Sequence, residues 1–89
     1  MNLRHAAALT LVGWYLMVPP LTRSDGAPDL KAPFGKWEIR ASFDSARTCN
    51  RAFLQALDRI WSSNADAVHR LQVQNAQCIA TDDPRLKEN

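Results

Sequence analysis

The sequence predicts a small α+β domain tied by a disulfide. It reads as an N-terminal hydrophobic leader helix, then a two-stranded antiparallel sheet with one main helix packed on it. Three observations lead there. Residues 37–43 alternate apolar with polar, residues 45–61 repeat apolar side chains at helical spacing, and Cys49 and Cys78 are the only cysteines of the chain. The 89 residues leave room for one small domain. The charge is almost balanced, with eleven basic and nine acidic side chains. Arg40, Arg47, Arg51, Arg59 and Arg70 are spread among Glu38, Asp44, Asp58 and Asp66. That mixture reads as a solvated surface and argues against the clustered basic face that duplex nucleic acid favours.

Residues 1–5 include the polar Asn2, Arg4 and His5; residues 6–18 are uncharged and mostly apolar, and Pro19 and Pro20 end the run. A secretory apolar region has about 7–15 residues, whereas a spanning helix wants about 20. The run fits the first better, and Arg4 ahead of it agrees with a cytoplasmic N-terminus during insertion. Ser24, Asp25 and Gly26 allow a cut before Ala27, with small residues one and three positions ahead of it. Two alternatives stay open: an uncleaved short membrane anchor, and a buried N-terminal helix of a cytosolic protein. Residues 1–26 are thus a signal peptide or anchor. Residues 21–35 hold Ser24, Asp25, Gly26, Pro28, Asp29, Pro33 and Gly35, a composition that disfavours helix and strand. They read as a tether, and after cleavage the linker is residues 27–36.

The domain proper is expected over residues 37–83. Trp37, Ile39, Ala41 and Phe43 fall on one face of a strand, and Glu38, Arg40 and Ser42 on the other. Asp44 and Ser45 end it, and Ser45 is the expected helix N-cap. Ala46, Cys49, Phe53, Ala56, Leu57 and Ile60 then form an apolar stripe opposite Arg47, Arg51, Gln55, Asp58 and Arg59. Such a stripe is core, not a cofactor box. Ser62, Ser63 and Asn64 weaken the helix, and residues 65–74 read as a second helix or a frayed continuation. Residues 75–81 read as a short strand, Asp82, Asp83 and Pro84 as a turn, and 84–89 as a polar tail.

A folded part near 60 residues buries only about 60% of its chain surface and is marginal. A covalent link between Cys49 and Cys78, 29 positions apart, would be worth about 3–4 kcal/mol in the chain-entropy model. Such a bond needs an oxidising compartment. Cys49 lies near the end of the first strand, and Cys78 must come there too. A simple strand-helix-strand crossover would start the second strand at the far end, so the second strand is expected to run antiparallel to the first.

Catalytic and metal chemistry find little support in the residue pattern. The cysteines are not Cys-x-x-Cys. Cys49, Cys78, His69 and Asp82 follow no zinc-finger or ribbon spacing, so no metal is expected. A Cys49–His69 nucleophile pair is weak, because Cys49 falls on the apolar helix face. Asp82 and Asp83 are adjacent carboxylates before a proline, more often a solvated turn than an acid/base pair. No glycine-rich phosphate loop and no internal repeat occurs, and no cofactor is implied.

Trp37, Ile39 and the run Phe43, Asp44, Ser45, Ala46, x, x, Cys49, closed by Gln77 through Leu86 in the order QCIATDDPRL, resemble small exported bacterial proteins to which no activity is attached. That resemblance implies export and nothing about chemistry. Residues 39–43, followed by a helix, also resemble the opening strand-helix unit of SPOR peptidoglycan-binding domains, which implies glycan binding. The expected function is a non-enzymatic structural or interaction module of the cell envelope, periplasmic or extracellular, or held at the inner membrane by its N-terminal segment. The alternative is a SPOR-like peptidoglycan binder. Glu38 and Arg40 on the wet strand face, with Arg47 and Arg51 on the basic helix face, form the expected partner surface for an envelope protein or glycan.

Overall fold

The computed structural model describes residues 12–64 and 66–88. The elements run β1 (Trp14–Val18), a 3-10 turn (Phe34–Lys36), β2 (Glu38–Phe43), α1 (Ala46–Trp61), α2 (Ala67–Gln74), β3 (Gln77–Ala80) and a second 3-10 turn (Pro84–Lys87). The chain is α+β with a disulfide, as expected. The sheet has three strands, not two, in the order β2-β1-β3. Among the described residues no helix is long and apolar enough to cross a membrane.

The third strand is the segment read as the end of the leader. Trp14–Val18 is the middle strand and pairs antiparallel with both neighbours. The part of the expected leader helix that falls on residues 1–11 lies outside the described residues. A middle strand covered on both faces shows no alternation, so its apolar run reads the same as a secretory core. Leu16, Met17 and Val18 are all buried. Pro19, which cannot donate to a ladder, follows directly and is fully buried.

The expected strand direction also changes. β2 and β3 both run antiparallel to β1, so they are parallel to each other, and α1 and α2 form the crossover between them. Long strands would hold the two cysteines apart in such a crossover. β3 has only four residues, about 13 Å. Cys78 pairs with Leu16, and Leu16 pairs with Ala41 two residues before the end of β2. One turn into α1 is therefore already level with Cys78.

Residues paired across antiparallel strands put their side chains on one face. Leu16 with Cys78, and Val18 two residues on, face the helices. Tyr15 with Ile79, and Met17, face the other way. That second face is covered by the segment read as a tether. Met17, Ile79 and Trp37 form a small core, joined by half-buried Tyr15, Ala32, Phe34 and Leu86. Burying a side chain such as Met17 is worth roughly 1.5–3 kcal/mol. The Trp37 indole N–H donates to the Ala32 carbonyl (2.9 Å), and Phe34 meets Trp37 edge to face at 4.9 Å. Earlier in the segment, Asp29 N–H donates to the Pro20 carbonyl and Thr22 N–H to that of Ala27, both at 2.7 Å. Gly26 makes the turn between them at φ 71. The Thr22 hydroxyl donates to Asp25, and this bond, with the Ala27 N–H, holds the Asp25 carboxyl below its usual range.

The expected alternation of β2 fails at one point. Leu16 pairs with Ala41, but Met17 pairs with Ile39, so a bulge places Arg40 as the extra residue. Ile39 is then out of phase with Ala41 and stands 52% exposed on an edge strand. α1 keeps its expected bounds. Ser45 caps it, accepting from Thr48 N–H at 3.1 Å. Asp66 caps α2 by accepting from His69 N–H at 2.8 Å.

The C-terminal residues are docked, not a free tail. Asp83 caps the last 3-10 turn and pairs with Arg85 at 2.7 Å. Hydrogen bonding from the Arg85 side chain holds the Asp83 carboxyl below the ordinary range. The Arg85 guanidinium in turn lies 4.7 Å over the Phe34 ring. Gly35 is where the two 3-10 turns meet, and a Cβ there would run into the Glu88 carbonyl oxygen.

Two outcomes follow from this packing. A chain beginning at Ala27 lacks the middle strand and should give a disordered circular-dichroism spectrum, whereas one beginning at Val12 should fold; a folded shorter chain would contradict the topology. Gly35→Ala should lower stability by about 1–3 kcal/mol in chemical denaturation followed by tryptophan fluorescence. An unchanged midpoint would mean the C-terminal turn does not dock there.

Candidate functional site

Two pins hold the helices on the sheet. Cys49 and Cys78 are disulfide-bonded with a Cα–Cα separation of 6.1 Å, and Cys49 is fully buried. This bond fixes the first turns of α1 to β3. The second pin is polar. Gln72 on α2 is buried, and its side-chain amide donates to the Pro19 carbonyl at 3.0 Å. Gln72 lies in the segment read as a second helix or a frayed continuation. Nothing local shows that a carbonyl 53 positions away needs a donor.

Between the pins the layers do not close. A cleft of about 620 Å³ opens between the sheet and the two helices. Leu16 and Val18 of β1 form its floor. Phe53, Ala56 and Ile60 come from α1, Val73 from α2, and Ala76 from the turn before β3. This explains why the expected α1 stripe is only partly covered: Cys49 and Ile60 are buried, but Phe53, Ala56 and Leu57 are half-exposed. The rim is polar. Arg40 reaches it from the β2 bulge, Arg59 from the last turn of α1, and His69 from α2, with Ser62 and Ser63 between the helices. Among the described residues no carboxylate lines the cleft.

The connection between α1 and α2 is braced from outside. The Arg70 guanidinium lies 5.5 Å over the Trp61 ring and donates to the Ser63 carbonyl at 3.1 Å. Trp61 is nonetheless 60% exposed, and Leu54 on the outer side of α1 is 62% exposed.

The four residues expected to form a partner surface are all exposed. Glu38 and Arg40 make an ion pair at 3.4 Å, worth little between exposed side chains. Arg47 and Arg51 stand on α1. Of the four, only Arg40 lines the cleft, while Arg51 borders a shallow groove with Leu54 and Asp58.

The other candidate chemistry is dispersed. Cys49 and Cys78 are bonded to each other. His69 lines the cleft, but Asp82 and Asp83 do not, and Asp83 is engaged by Arg85. Among the described residues no group of three or more His, Cys, Asp or Glu is placed to hold a metal ion. Comparison of the chain with protein-family models, curated proteins and solved structures finds no match.

The pins can be loosened separately. Cys49→Ala with Cys78→Ala should lower stability by about 3–4 kcal/mol. Gln72→Met, close in size but without the donor, should lower it by about 1–3 kcal/mol by leaving the Pro19 carbonyl unpaired. Urea denaturation of each variant reads both. A disulfide-free chain as stable as the parent would mean the bond contributes nothing to the fold.

Proposed function

We propose that this chain is an exported module of the cell envelope that acts by binding and not by catalysis. The carrying observation is the bond between fully buried Cys49 and half-buried Cys78. Disulfides persist in oxidising compartments and are rare in the cytosol, where thiols are kept reduced. A domain this small, with its apolar residues split between two faces of a three-stranded sheet, gains most from such a bond. Arg4 and the mostly apolar residues 6–13 ahead of β1 agree with the same reading. On this reading any cleavage falls ahead of β1, since a cut before Ala27 would remove the middle strand.

Binding is favoured over catalysis because the titratable side chains that could do chemistry are separated or engaged. The exposed set Glu38, Arg40, Arg47 and Arg51 is the proposed contact surface for an envelope protein. Peptidoglycan binding of the SPOR type is the alternative, resting on the likeness of residues 39–43 and the following helix.

Fractionation of a bacterial host producing the full chain, with intact mass before and after reductant, tests the reading. The expected result is protein in the envelope or periplasmic fraction, oxidised at both cysteines. Cytosolic protein with two free thiols would contradict it. Sedimentation with purified peptidoglycan separates the two partner classes. An envelope association that survives Arg47→Glu with Arg51→Glu would remove that surface from the proposal.

A further inference from the structure

We propose that the cleft between the sheet and the helices binds a single-chain anionic amphiphile, with a carboxylate head at the rim and an alkyl tail along the apolar floor. This goes beyond the envelope reading and holds whatever compartment the chain occupies. The volume of about 620 Å³ lies within the roughly 300–1,000 Å³ typical of small-molecule sites. Leu16, Val18, Phe53 and Val73 give it an interior with no hydrogen-bonding side chain, which suits hydrocarbon and little else. Left unfilled, these surfaces would stay wet on a domain that has little apolar burial to spare.

The charge at the rim decides the head group. Arg40, Arg59 and His69 line the cleft, and among the described residues no acidic one does. Arg59 makes no ion pair among the described residues. Arg40 has only the exposed Glu38, which lies outside the cleft. A carboxylate accepts from a guanidinium fork in a charge-assisted, bidentate geometry. An uncharged head forgoes that interaction, and a cationic head is repelled. The β2 bulge is what makes the arrangement possible, since it adds Arg40 to the strand beside Ala41.

Calorimetric titration of the oxidised full chain with decanoate, decanol and decyltrimethylammonium tests the proposal. Decanoate should bind saturably at one site, and the other two more weakly by about tenfold or more. Arg59→Gln, at an exposed position, should weaken decanoate about tenfold and leave decanol unchanged. Ala56→Trp should fill the cleft and abolish binding, with circular dichroism and intact mass reporting that it is folded and oxidised. If that variant does not fold, the Arg59→Gln comparison decides. No saturable decanoate binding, equal affinity for all three ligands, or no effect of Arg59→Gln would overturn the proposal. So would a parent protein that is a dimer by light scattering and becomes a monomer on Ala56→Trp, because the cleft would then be an interface between copies.

Discussion

The pairing of β1 with a strand on each side is the constraint from which the rest of the structure follows. It puts Leu16 and Val18 under the helices and Tyr15 and Met17 under the loop, so four residues of one strand serve two small cores at once. Neither core alone would hold a domain of this size. Because both neighbours run antiparallel to β1, they are parallel to each other, and the helical crossover between them passes over one face. The other face is then left to whatever chain is nearest. That chain is the Pro- and Gly-containing segment after β1, whose Phe34 and Trp37 supply the missing apolar surface.

The cross-link acts within this frame. Cys49 and Cys78 join the crossover helix to an edge strand only four residues long, which has one neighbour and few hydrogen bonds of its own. Gln72 does for α2, by a hydrogen bond to the end of β1, what the sulfurs do for α1. With both helices held near their outer ends, the space between them is free to remain open. The cleft is thus a consequence of where the pins are, and its polar rim comes from residues at element ends and at the bulge.

Much of this was legible in the residues. The α1 stripe, its Ser45 cap and its end near Trp61 follow from local periodicity and capping, and each stands where expected. The cysteine pairing was legible because there is only one way to pair two cysteines. β2 and β3 were found within a residue or two of their ends. The middle strand was not, for a physical reason. A run apolar at every position suits a strand buried on both faces and a secretory segment equally, and only its partners distinguish them. The bulge at Arg40 was hidden for the same reason: it is a property of the pairing, not of β2 alone. The cleft residues come from both helices, the sheet and two connections, so no single stretch announces them. A signal was present in the tether, where Phe34 is a large aromatic that a solvated linker would not need.

Native-state hydrogen exchange of the oxidised chain addresses the central strand directly. If β1 is the shared element, the amide protons of Leu16, Met17 and Val18 should be among the slowest to exchange, opening only with global unfolding. Exchange at those amides as fast as in the residue 22–26 turn, with α1 still protected, would contradict the account.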